Sequence, residues 1–494
     1  MNYISTRDIS VKVTASQAIT KGISSDGGLF VPDCIPNVAL AEIEALSKKD
    51  YIGRAKYILS LFLNDFTEEE VESCVKGAYE TGFSDAKVAP LAKTGDGTYI
   101  LELFKGPTCA FKDMALQILP RLLTVAGGKT AKGTEIVILV ATSGDTGKAA
   151  LEGFKDVEHT RILVFYPSDG VSPMQKLQMC TQEGGNVSVC AIKGNFDDAQ
   201  SGVKKIFTDK AVAAKLAENG MAFSSANSIN WGRLAPQIVY YFSAYCDLVA
   251  QGEIKAGDKI NVVVPTGNFG NILAAYYAKE MGLPVAKLIC ASNSNSVLTE
   301  FLTTGVYDRN RKFYTTISPS MDILISSNLE RLLYALAGSE NVKSWMASLA
   351  SDGKYKVDDA TFAKIKELFA AGCCDDEQTK ATIAKMFSEK NYLCDTHTAV
   401  AIKVYEDYKA ETGDSTPTVI ASTASPFKFS ASVLEAVSGS NEGLDEFEMV
   451  EKLAEISKES CPGQLADLRS KAVRFDGVCS KDSMEKVVLD MLGI

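Results

Sequence analysis

Between residues 99 and 291 the chain alternates short, unbroken apolar runs with helical stretches, and that alternation most constrains its fold. The runs Ile136 to Val140, Arg161 to Tyr166, Val187 to Ile192, Asn261 to Val264 and Ala286 to Ala291 are rich in β-branched residues. Helical patterns separate them at 147–154, 173–180, 197–207 and 272–281. A strand with one wet face alternates apolar and polar side chains, whereas a continuous run is buried on both faces. The predicted class is therefore α/β, with mostly parallel sheets and flanking helices. The 494 residues leave room for roughly three units at about 150 residues each. A turn at Gly95-Asp96-Gly97 marks a first boundary, before the strand-like stretch 99–104. Residues 355–412 read as helical, and a Glu- and Lys-rich helical tail follows the strand-like run 418–421.

Composition removes several function classes. Asp plus Glu number 62 against 51 Lys plus Arg, a formal charge of -11. That balance argues against a nucleic-acid or membrane-surface partner, both of which depend on basic patches, but leaves small anions open. The 12 cysteines are scattered without any Cys-x-x-Cys, as reduced thiols in a reducing compartment would be. Residues 1–8 have no apolar signal core, and the longest strongly apolar run, 136–141, is strand-sized, so a cytoplasmic location is expected. Only His159 and His397 are present, so no His-rich metal site is expected and no metal is assigned. His397 reads as an ordered structural histidine and His159 as a loop residue. Acid–base chemistry falls to Lys, to a carboxylate or to a cofactor.

In open α/β sheets ligands bind beyond the carboxyl ends of strands. Two such ends carry glycine-rich loops that run into helices: Pro265-Thr266-Gly267-Asn268-Phe269-Gly270-Asn271 and Ala141-Thr142-Ser143-Gly144-Asp145-Thr146-Gly147. Free N–H groups and a helix N-terminus let each loop hold a phosphate-sized anion without a basic side chain, although glycine also serves a plain tight turn. Neither loop carries a dinucleotide or P-loop fingerprint. A third candidate is Lys112, between Phe111 and Asp113 at a helix start. An apolar neighbour and a helix N-terminus both disfavour its ammonium form and favour a nucleophilic amine. An isolated Lys beside Asp would read as solvated; a Lys beside a strand-end phosphate cradle fits pyridoxal phosphate. Ser225, Asn227 and Arg233 form a polar cluster before another helix, equally readable as an N-cap with a surface Arg. Ser422 and Thr423 offer hydroxyls at a further strand end.

These residues resemble the threonine synthases, pyridoxal-phosphate enzymes of the tryptophan-synthase-β-like group (fold type II). The resemblance runs from Ser16-Gln17-Ala18 and Asp26 to Pro32 through Glu102 to Thr108, Phe111-Lys112-Asp113 and Ala141 to Gly147. It continues through Asn227 to Asn230, Gly267 to Asn271, Ser320-Met321-Asp322 and Ser422 to Lys428, and is weakest over 330–395 and the last ~50 residues. It implies an N-terminal cap over 1–95, a smaller α/β domain with the Schiff-base lysine over 96–235, and a larger cofactor-phosphate domain over 236–430. A helical insert lies at about 330–395 and a helical tail at 431–494. Lys112 would hold pyridoxal 5'-phosphate, Gly267, Asn268, Phe269, Gly270 and Asn271 its phosphate, and Thr423, with Ser422, its ring nitrogen. Ser143, Asp145, Thr146, Ser225, Asn227 and Arg233 would bind the substrate. The implied reaction converts O-phospho-L-homoserine and water to L-threonine and phosphate, in a monomer or homodimer. One departure is Ser425, where the family pattern often has His before the Pro. The residues alone support a pyridoxal-phosphate serine or threonine dehydratase nearly as well; a catalytically inactive relative acting as a binding protein is a further reading.

Overall fold

The computed structural model describes residues 1–95, 97–142, 144–168 and 171–494. The continuous apolar runs become inner strands of two sheets. In the first, the order is Val478–Ser480, Val187–Lys193, Thr160–Pro167, Glu135–Ala141, Met221–Ser224, all parallel. In the second it is Phe369–Cys373, Val285–Ser292, Ile260–Pro265, Thr418–Ser422, Thr98–Glu102, Leu91–Gly95, with only the last pair antiparallel. Val137, Ile138, Val262, Val263, Val419 and Ile420 are fully buried, as strands covered on both faces require. The α/β class and mostly parallel sheets are as expected.

Three elements differ from the sequence reading. The strand Thr98–Glu102, expected to open the smaller unit, pairs in register with Thr418–Ser422 and so belongs to the larger sheet. The region read as helical over 355–412 contains the strand Phe369–Cys373, which pairs with Leu288 to Ser292 at the sheet edge. An alanine-rich edge strand that is only part-buried has no alternation to betray it, and pairing overrides its local pattern. The tail is helical except for Val478–Ser480, three residues that extend the first sheet alongside Val187–Lys193.

The N-terminal region pairs Tyr3–Ser5 with Lys12–Val13 and Phe30–Pro32 and adds four helices. It rests on the helix Trp231–Ala250, which is buried along nearly its whole length. Tyr3, Phe62 and Tyr277 surround Trp231 at centroid distances of 5.4, 5.5 and 5.5 Å. Arg54, on the helix Tyr51–Ser60, reaches across to Asp247 at 2.6 Å and to the Ser243 hydroxyl at 2.9 Å. Among the described residues no helix is long and apolar enough to cross a membrane. The strands Thr98–Glu102, Thr418–Ser422 and Ile260–Pro265 are parallel neighbours, so their carboxyl ends open side by side. The site lies there.

Candidate active site

After Glu102 the chain folds back along the neighbouring strand end. Leu103 N–H donates to Ser422 O at 3.0 Å, Phe111 N–H to Thr423 O at 2.8 Å, and Ser425 N–H to Cys109 O at 3.0 Å. Inside this loop Asp113 accepts from Thr108 N–H at 2.8 Å and from the Thr108 hydroxyl at 2.6 Å. Burial pushes the Asp113 carboxyl up to about 6. The stitching delivers Lys112, at the N-terminus of the short helix Asp113–Leu116, into the space beside Thr423. Desolvation holds the Lys112 amine below its ordinary value, Asp145 opposes that shift, and Lys428 and Arg233 reinforce it. The expected free-base tendency is present, although its leading cause is burial.

Two cavities meet at Lys112. One, of about 430 Å³, is walled by Gly267, Asn268, Phe269, Gly270, Asn271 and Thr423. Phe269 adopts a left-handed conformation (φ 64°) that turns the loop into the helix Gly270–Glu280. A Cβ on Gly267 would stand 2.6 Å from Ser320 O, so only glycine allows this approach. The Asn271 carbonyl accepts from the Tyr240 hydroxyl at 2.8 Å and from that of Tyr241, while its buried Nδ2 has no partner among the described residues. An orphaned donor beside a glycine loop and a helix N-terminus fits the phosphate of pyridoxal phosphate. The Ser422 hydroxyl instead meets that of Thr398 at 2.8 Å, which leaves Thr423 as the cavity-lining hydroxyl of the pair.

The second cavity, of about 640 Å³, is lined by Gly144, Asp145, Thr146, Gln175 and Lys428 as well as Lys112. Asp145 and Lys428 form a buried ion pair at 2.7 Å, and Lys428 also donates to Thr108 O at 2.9 Å. The positive charges of Lys428 and Lys112 hold the Asp145 carboxyl well below the usual range, against the opposing effect of its burial. Thr146 faces both cavities. Ser143 lies outside the described residues. Arg233 and Asn227 line the first cavity, whereas the Ser225 hydroxyl only accepts from Asn227 N–H within its own turn, at 3.2 Å. Arg233 is 5% exposed, so it is no surface residue. One Arg233 guanidinium nitrogen donates to Ala226 O at 3.0 Å, the buried Nε has no partner among the described residues, and burial lowers the pKa of Arg233 to about 10.

Two further residues stand behind Lys112. The Ser320 hydroxyl is 3.5 Å from the Lys112 Nζ, and Ser320 N–H donates to His397 Nε2 at 3.1 Å. His397 Nδ1 faces Asp395 Oδ1 at 3.0 Å, which places the imidazole proton on that nitrogen. His397 is thus ordered and structural, as expected, but what it orders is the turn that carries Ser320. Sequence spacing could not reveal this, because residues 112, 320 and 397 meet only in the fold. Lys428 was visible only as part of a resembling segment, since nothing in its neighbours marks it as buried.

Family models match three stretches: "Threonine synthase N terminus" over residues 2–79, "Pyridoxal-phosphate dependent enzyme" over 88–424, and "Threonine synthase, C-terminal" over 398–488. Threonine synthase of Saccharomyces cerevisiae is 38% identical over 486 residues, covering 92% of this chain and 93% of that protein. Threonine synthase-like 1 of Homo sapiens is 40% identical over 455 residues, and the match takes in 88% of this chain but only 60% of that longer protein. A crystal structure of pyridoxal-phosphate-bound threonine synthase from Brucella melitensis superposes with a TM-score of 0.89 at 36% identity, over 99% of both chains.

Proposed function

The chain belongs to the threonine synthase family of pyridoxal-phosphate-dependent enzymes, and from that premise we propose that it is a lyase converting O-phospho-L-homoserine and water to L-threonine and phosphate. The observation that carries this reading is the meeting of two anion-suited cavities at one partly desolvated amine, Lys112. When bound, pyridoxal phosphate supplies an aldehyde for the substrate amine and an electron sink for charge developed at Cα. Gly267 to Asn271 would hold its phosphate, Lys112 would hold its aldehyde carbon, and Thr423 would offer its hydroxyl to the ring nitrogen.

The chain's own groups do the rest. The Lys112 amine, whose ammonium form burial disfavours, takes the proton from Cα and then the proton from Cβ. Ser320 fixes the direction of that amine, and His397 with Asp395 fixes Ser320. Arg233, Lys428, Thr146 and Asn227 grip the substrate's carboxylate and phosphate; Asp145, itself an anion, serves by holding Lys428 in place. Phosphate departs from Cγ with the electrons of the C–O bond. Lys112 then returns one proton to Cγ, water adds its oxygen at Cβ, Lys112 returns the other proton to Cα, and the remaining proton of water goes to phosphate. The two-part α/β body between residues 96 and 430 encloses these groups under the cap of residues 1–95. A cytoplasmic location and a monomer or homodimer remain part of the same proposal.

The test is an assay on purified protein reconstituted with pyridoxal phosphate. We expect phosphate and L-threonine in equal amounts from O-phospho-L-homoserine. Lys112→Ala should abolish turnover, and Arg233→Ala should raise KM by about 10- to 100-fold with a smaller effect on kcat. Deamination of L-serine or L-threonine without phosphate release would assign the chain to the dehydratases. Bound cofactor with no turnover of either substrate class would make it a binding protein.

A further inference from the structure

A cavity of about 330 Å³ lies between the N-terminal segment and the helix Leu329–Asp352, and the proposed reaction makes no use of it. Its wall includes Gly27, from the Asp26-Gly27-Gly28 turn, a motif conspicuous in the sequence to which the chemistry gives no role. Two arginines enter. Arg7 is committed, donating from Nε and a terminal nitrogen to the two oxygens of Glu330 at 2.9 and 2.7 Å. Glu330, nearly buried, also accepts from the Thr6 hydroxyl at 2.6 Å. Arg309 is uncommitted: its guanidinium reaches only the Ala350 carbonyl, at 3.4 Å, and it has no carboxylate partner among the described residues. Most of the remaining wall is apolar, from Leu29, Met346 and Leu349, with the Tyr307 ring stacked on Tyr355 at 5.4 Å, while Ser326 and Ser327 contribute hydroxyls. One surplus positive charge beside an aliphatic and aromatic wall complements a small carboxylate with an aliphatic body.

This cavity shares a partition with the cofactor site. Ser327 lines both. Ser326 N–H donates to the Tyr307 hydroxyl at 2.8 Å, and the Ser326 hydroxyl donates to Gly267 O at 2.8 Å. Asn328 donates through its backbone N–H and its Nδ2 to Asn268 O, both at 3.1 Å. The segment that closes the Arg309 cavity therefore also holds the carbonyls of the loop assigned to the cofactor phosphate. A ligand that draws Arg309 and Tyr307 toward itself acts on that segment directly.

We propose that this cavity is a regulatory site for a small aliphatic carboxylate, an α-amino acid or its 2-oxo acid, whose occupancy alters the cofactor loop. The test titrates L-isoleucine and, separately, 3-methyl-2-oxopentanoate into the holoenzyme by calorimetry, with visible absorbance and activity read in parallel. The oxo acid has no amine with which to engage the cofactor, so its binding reports the Arg309 cavity; binding of only one of the two identifies the source of the ligand. The expected result is saturable binding with a change in cofactor absorbance and in turnover. Arg309→Ala should weaken binding at least about tenfold and leave activity without ligand unchanged, while Arg233→Ala should leave binding intact. Absence of binding by either compound at millimolar concentration, binding unaltered in Arg309→Ala, or loss of binding in Arg233→Ala overturns the proposal. Binding that leaves absorbance and turnover untouched overturns the regulatory role.

Discussion

In the proposed reaction Lys112 works only as an uncharged amine, and its surroundings set two opposing fields on it. Desolvation is the largest influence and favours the free base; Asp145 opposes it, and the positive charges of Lys428 and Arg233 support it. The two members of one ion pair therefore act on Lys112 with opposite sign. Asp145→Asn removes a nearby negative charge and lowers the Lys112 pKa further, so uptake of pyridoxal phosphate by the apoprotein, which needs the free amine, should reach its midpoint at lower pH. Lys428→Met removes a positive charge and should move the same midpoint to higher pH. Stopped-flow absorbance across a pH series checks both; shifts in the same direction would show that Lys112 does not sense the pair. Each substitution strands a buried partner, so thermal melts should accompany the kinetics.

The helix Asp145–Phe154 must lie close to the turn after Lys112, and one residue permits it. A Cβ on Gly153 would stand 1.9 Å from the carbonyl oxygen of Leu116. Gly153→Ala should therefore push this helix, with Asp145 and Thr146 at its start, away from Lys112. The expected loss of stability is about 3 kcal/mol in urea unfolding, with kcat falling alongside. The inner strands were legible because double burial leaves an unbroken apolar run, as in Ile136 to Val140. Lys112 and the Gly267 loop were legible for a related reason: both sit at strand ends and carry their chemistry in adjacent residues. The strand Phe369–Cys373 was not, since its pairing partner rather than its own pattern makes it a strand. Ser320 and His397 gave no local signal, because their function is a distance to residues far along the chain. Ser225 gave a signal that the fold uses within its own turn.

At the scale of the whole molecule, the N-terminal region and the catalytic body are joined by buried contacts rather than by a linker. Arg54 and Asp247 are buried on helices from the two parts, and Arg54 also donates to the backbone oxygens of Leu46 and Ser243. Arg54→Ala leaves a buried carboxylate without its cation and should cost about 3–5 kcal/mol. Chemical denaturation followed by tryptophan fluorescence would check this, because Trp231 sits in the same contact. Two early denaturation steps in place of one cooperative transition would show the cap to be independent. The sheet order has a consequence for synthesis. Thr98–Glu102 waits for Thr418–Ser422, and Val187–Lys193 waits for Val478–Ser480, before the second edge of either strand is paired. A ribosome-bound chain therefore exposes two parallel strand edges through most of its translation, and its yield in cells should depend on chaperones that shield nascent edges.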